Sequence, residues 1–170
     1  MDTGQIIAVA AAAVFFVWYF AGALLNRRRA AELIRAVRGA VGAVGEGPTI
    51  RWHGRSAFEV SVAEPVPPLT AFRLLCLLEP RDFPLALAWN RLRGRRDQVL
   101  INADFARPPR AGAPDPGRYG IPGLTGVELR AEQPHLRLVL QVGAGGEAAI
   151  EKSVALVREL AAAQPGGRPV

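Results

Sequence analysis

IIAVAAAAVFFVWYFAGALLNRRR, residues 6–29, decides how this chain is organised. From Ile6 to Leu25 about twenty residues pass without a charge, enough to cross a hydrocarbon core of about 30 Å at about 1.5 Å per residue. Arg27, Arg28 and Arg29 then close the run. Its second half is aromatic, and Trp18 and Tyr19 suit the membrane–water interface beside those arginines. Asp2 precedes the run and no Lys or Arg does. By the positive-inside rule the N-terminus is expected outside and the rest of the chain in the cytoplasm. Residues 1–26 therefore read as the anchor of a single-pass cell-membrane protein. A cleavable signal peptide is the rival, since Ala21-Gly22-Ala23 has the small-x-small form of a cleavage site. The missing N-terminal positive charge and the arginines after the site oppose it. Gly4, Ala8 and Ala12 form a row of small residues on which two such helices could meet as a homodimer.

Residues 27–47 read as a basic amphipathic helix that Gly47-Pro48 stops. Leu33, Ile34, Val37, Val41 and Val44 fall on one side, and Arg28, Arg29, Arg35 and Arg38 on the rest. That stripe either lies on anionic lipid or packs on the domain behind it. Arg27, Arg28, Arg29, Arg35 and Arg38 are the candidate topology and lipid contacts.

Residues 48–163 leave roughly 120 residues for one small core. Thr49–Trp52 and Phe58–Val62 alternate as strands about a His53-Gly54 turn. Thr70–Leu78 is apolar on both faces, as in a strand covered on both sides. Asp82 is a candidate N-cap for a helix from Phe83 to Arg93, whose Leu85, Leu87, Ala88, Trp89 and Leu92 make a broad apolar surface. Gln98–Phe105 alternates again. Residues 107–124, with five prolines and four glycines, break the pattern and read as a disordered or partner-binding loop.

Val127–Ala131 and Leu136–Val142 form a further hairpin. Pairing Glu132 with His135 matches its apolar faces but sets Arg130 opposite Arg137, so a carboxylate is expected nearby. A helix from Glu147 to Ala163 follows, with Ile150, Val154, Val157 and Leu160 inward, and residues 164–170 read as a disordered tail. The fold class is α+β: a transmembrane helix, then a small, mainly antiparallel sheet in β-β-β-α-β-β-β-α order with its helices on one face.

The formal charge is +6, carried by arginine except for Lys152. Arginine, alanine, glycine and proline are all abundant, so only clustering of charge is informative. Arg91, Arg93, Arg95 and Arg96 cluster after the middle helix as a candidate anion-binding site, although cations at a helix C-terminus also suit its dipole. Arg118 and Tyr119 are the candidate partner contacts of the Pro/Gly loop.

The single Cys76 excludes an intrachain disulfide, and His53 and His135 offer no metal spacing. No G-x-S-x-G, H-E-x-x-H, C-x-x-C, Walker or Rossmann pattern occurs. His53 with Asp104 is the first pair to test if the protein is an enzyme. No catalytic, cofactor or metal residues are assigned. The expectation is a membrane-tethered, non-enzymatic interaction or assembly domain, with the bilayer and a membrane complex or homodimer as partners. Binding of an anionic lipid headgroup or nucleic acid through the arginine cluster is the alternative. Nucleic acid is disfavoured because few aromatics stand near that cluster.

Overall fold

A computed structural model describes residues 2–143 and 145–163. The tail expected at 164–170 lies outside the described residues. One helix, α1, runs unbroken from Thr3 to Val41, so the span and the basic helix expected after it are a single rod of roughly 60 Å. Its two halves meet different surroundings. Ile6–Phe20 is exposed throughout, which suits lipid and not a protein core. From Gly22 onward a stripe is buried: Gly22, Asn26, Ala30, Leu33, Val37, Ala40 and Val41 recur at three- and four-residue steps. The stripe thus begins inside the uncharged run and continues onto the domain.

The domain is one six-stranded antiparallel sheet in the order β1-β2-β3-β4-β6-β5. Its strands are β1 (Gly45–Trp52), β2 (Ala57–Pro65), β3 (Leu69–Leu77), β4 (Asp97–Phe105), β5 (Leu124–Leu129) and β6 (Leu136–Val142). Helix α2 (Pro84–Leu92) lies between β3 and β4, and α3 (Glu147–Ala162) follows β6. The second half of α1 and α3 pack on each other across one face of the sheet. Leu33, Val37, Val41, Ile150, Val154 and Val157 meet Phe58, Val60, Leu74, Ile101, Leu138 and Leu140 in a single core. The His53-Gly54 turn forms as its residues require, with Gly54 at φ 78° and His53 N donating to Ala57 O at 2.9 Å.

Several expectations are corrected. The stretch expected to be helical to Val44 ends at Val41, and β1 already starts at Gly45. Helix α2 starts at Pro84 after Phe83, not under a cap from Asp82. None of its residues is buried, so its apolar surface is not core, and α1 takes the covering role expected of it. Strand β3 is central but covered on one side only: Phe72, Leu74 and Cys76 are buried, whereas Leu75 is half-buried and Leu77 exposed.

The β5–β6 register is shifted by two residues from the expected one. Leu129 lies opposite Leu136 and Glu128 opposite Arg137. A shift of two keeps the apolar faces matched, and the Arg130–Arg137 clash disappears. Leu129 is fixed there by the exchange of backbone hydrogen bonds with Gly112, at 2.7 and 2.9 Å. Residues 107–124 are accordingly not structureless. They pass along the β5 edge, form a short 3-10 turn at Pro116–Tyr119, and pack Tyr119 and Ile121 against the core. At the other edge β1 carries Pro48, which removes a donor from an otherwise open strand.

Because α1 supplies core, Leu33→Ala should lower stability by about 2–5 kcal/mol, as for other buried leucines. Leu85→Ala on exposed α2 should change it by less than about 0.5 kcal/mol in detergent. Urea unfolding of the two variants checks the contrast.

Candidate functional site

A buried ionic cluster joins the span to the sheet. Asp97, the first residue of β4, is 3% exposed. Its Oδ1 accepts from Glu79 N at 2.9 Å and Arg81 Nη2 at 3.0 Å, and its Oδ2 from Arg81 Nη2 at 2.9 Å and Arg29 Nε at 3.1 Å. Arg29 comes from α1 and Arg81 from the β3–α2 loop, so one carboxylate ties three parts of the chain together. Arg81 Nη1 donates to the buried Asn26 Oδ1 at 2.9 Å. Arg29 Nη1 donates to Glu32 Oε2 at 3.0 Å, and its Nη2 to Gly143 O beside the start of α3. Arginine suits the position because its planar fork serves several acceptors at once. Burial works against the Arg29 charge, but the hydrogen bonds and charges of Glu32 and Asp97 outweigh it and raise its pKa.

Glu79 is buried beside Arg81, Oε2 to Nη2 3.5 Å. Its Oε1 has no hydrogen-bond partner, the one such buried side-chain atom among the described residues. A cavity of about 280 Å³ lies against it, lined also by Arg91, Arg96 and Asp97.

Just below the cluster the loop touches the span itself. Trp18 Nε1 donates to Arg81 O at 3.2 Å. Gly22 lies so close that a Cβ there would fall 2.1 Å from the same oxygen. The glycine of Ala21-Gly22-Ala23 therefore has a packing reason, since only a residue without a side chain admits this approach.

The other residues singled out in the sequence are scattered. Arg27, Arg28, Arg35 and Arg38 are exposed, and Arg35 Nε bonds Ala31 O at 3.3 Å, whereas Arg29 is engaged in the cluster. Arg91, Arg93, Arg95 and Arg96 are exposed and have no acidic partner among the described residues. The Arg93 guanidinium lies 4.3 Å from the Trp89 ring centre. Arg118 lies over Tyr119 at 5.1 Å, and that tyrosine is half-buried against the core.

His53 and Asp104 are not a pair. They sit at opposite ends of the sheet, and His53 Nε2 instead meets Glu59 Oε2 at 3.0 Å in the open. Asp104 Oδ1 accepts from His135 N at 3.1 Å, while His135 Nδ1 accepts from Phe105 N at 3.0 Å. This arrangement locks the β5–β6 turn onto β4. Asn102 Oδ1 accepts from Arg137 Nε at 3.5 Å. Burial pushes the Cys76 thiol up to about 12, which makes it a poor nucleophile. Among the described residues, no three His, Cys, Asp or Glu side chains come together as metal ligands would.

Sequence reasoning missed the ionic cluster. The local signals were the polar Asn26 at the end of the apolar run and a lone Asp97 at the end of a basic one, and nothing in the sequence connected them. No protein-family model matches the chain, and no curated protein matches it in sequence.

Asp97→Asn would leave two half-buried cations without their shared, buried counter-charge. The expected loss is about 3–5 kcal/mol of stability, the cost typical of breaking a buried pair, read by thermal unfolding in detergent micelles. Separately, Cys76 should resist alkylation at pH 8 in the folded protein and react at once in denaturant. Its raised pKa favours the folded state below the unfolded thiol's value of about 8.5. That contribution should be lost as pH rises from there towards 12.

Proposed function

We propose that this chain is a single-pass membrane protein whose soluble domain is held at the cytoplasmic surface as a non-enzymatic interaction or assembly module. The partner site in this reading is the uncovered face of the sheet. The observation that carries it is the apolar row on that face: Leu75 of β3 lies opposite Leu100 of β4, and Leu100 opposite Val139 of β6. All three are half-buried, and among the described residues no helix packs over them. A parallel row of Ser61, Arg73, Asn102, Arg137 and Glu128 runs beside it and extends onto β2 and β5. An apolar centre with a polar rim is the usual composition of a protein-binding patch. Anchoring confines the domain to a surface and raises its effective concentration for partners in the same membrane. The cytoplasmic placement rests on Arg27, Arg28, Arg35 and Arg38, exposed just after the span.

A second reading is favoured by one observation: Arg91, Arg93, Arg95 and Arg96 are exposed without an acidic partner among the described residues, and Arg91 and Arg96 line a cavity with Arg29 and Glu32 of α1. In it the domain binds an anionic group at the bilayer surface. Trp89 is the aromatic nearest them and is already engaged by Arg93, which disfavours stacking on nucleic acid.

The test is a photo-crosslinking residue at Leu100 in intact membranes, with the exposed Glu159 of α3 as the comparison. A discrete adduct at Leu100 that Leu75→Asp abolishes is expected, and an adduct of twice the chain's mass would identify a second copy as the partner. No adduct at Leu100 in protein that is correctly inserted would refute the sheet-face site.

A further inference from the structure

The span and the domain use the same turns of α1, and their contacts fix where the bilayer surface must lie. The loop at Arg81 and Asp82 reaches Trp18 and Gly22. At the tip of the β1–β2 hairpin, Arg55 donates to the Tyr19 hydroxyl and lies 5.0 Å from its ring centre. Both contacts fall inside the uncharged run. If these loops stayed clear of the membrane, only Ile6–Val17 would remain for it, about 18 Å of helix against a core of about 30 Å. The run, about 30 Å long in all, matches the core only if its last two turns are counted within the bilayer as well, so the loops docked on them reach the membrane surface on that side.

Helix α2 is carried to that depth. Leu85, Ala88, Trp89 and Leu92 stand at i, i+3, i+4 and i+7 and form one stripe. The stripe faces away from the protein: Leu85 is 68%, Trp89 56% and Leu92 83% exposed, and Phe83 just before the helix 54%. Leu87, off the stripe, instead lines a cavity of about 590 Å³ with Trp18, Leu25 and Arg28 of α1. The unpaired arginines begin within the helix's last turn and continue beyond it.

We infer that α2 is a membrane-surface helix lying in the plane of the cytoplasmic leaflet. Phe83, Leu85, Trp89 and Leu92 sit among the upper acyl chains, and Arg91, Arg93, Arg95 and Arg96 hold anionic phospholipid headgroups. Two features select lipid over another occupant. The helix follows directly on the loop that Trp18 and Gly22 hold against the apolar run, and its Leu87 lines a cavity with Trp18 and Leu25 of that run. A stripe of Leu and Trp beside clustered arginine is also the composition of helices that bind anionic membrane surfaces. The inference rests on Ile6–Leu25 crossing the bilayer, and it gives the second reading above its ligand class.

Depth measurement tests it on the full chain in vesicles of phosphatidylcholine and phosphatidylglycerol. An environment-sensitive fluorophore is placed on Leu85→Cys or Leu92→Cys, one at a time; the buried Cys76 does not compete for label. Val17→Cys reports the span, and Arg158→Cys the far end of α3. Nitroxide-bearing lipid should quench the labels at 85, 92 and 17 and spare the one at 158. Replacing Arg91, Arg93, Arg95 and Arg96 by Gln should reduce the quenching at 92. A label at 17 that is quenched while 85 and 92 behave like 158 would overturn the inference and leave the span intact. A label at 17 that escapes quenching would remove the span and the inference together. Unchanged quenching at 92 after the arginine replacements would overturn the headgroup role.

Discussion

One carboxylate holds this architecture together. Asp97 is shared between Arg29 of the anchor helix and Arg81 of the β3–α2 loop, and all three groups are largely withdrawn from water. Placing two cations and an anion there carries a desolvation cost that only close geometry and further hydrogen bonds can offset. Asn26, Glu32, the Glu79 amide and the Gly143 carbonyl supply those bonds. The arrangement gains little stability over a well-packed apolar contact, but its directionality allows one angle between span and sheet. Position, more than stability, is what this cluster contributes.

Helix α1 consequently does two jobs without a hinge between them. Its first half is an uninterrupted, exposed apolar surface long enough to cross a membrane. Its second half closes one face of the sheet, where Leu33, Val37 and Val41 are as buried as any strand residue. A domain attached through a flexible linker would sample many orientations. In the proposed placement this one presents a fixed end to the membrane, comprising the β1–β2 tip, the Arg81 loop and α2. The uncovered sheet face, with Leu75, Leu100 and Val139, is then held at a set orientation to the bilayer, which limits the partners able to reach it to those of matching geometry.

Much of this was legible in the sequence where the signal is local. The span shows as a run without charge, and the alternation along β2, β4 and β6 gives each strand its inward face. Longer-range features were not legible. The parity of the β5–β6 hairpin follows from alternation, but its register depends on Gly112, far from the turn, and shifts by two. The apolar period of α2 is plain at Leu85, Trp89 and Leu92, yet periodicity does not tell whether a stripe faces a core or lipid. Asn26, Arg29, Arg81 and Asp97 meet only because of the fold, so their cluster had no signature, and Arg29 read as one more topology charge. His53 and Asp104 were the first pair to test, and the antiparallel register sets them at opposite ends of the strands.

The central claim is that anchor and domain are one rigid body at the membrane. The most direct measurement is the distance distribution between spin labels at Ala21 on the span and Lys152 on α3, both exposed, in the full chain in lipid bilayers. The account predicts a single narrow distribution in the native protein that broadens when Asp97 is replaced by Asn. A broad distribution in the native protein, unchanged by that replacement, would contradict it.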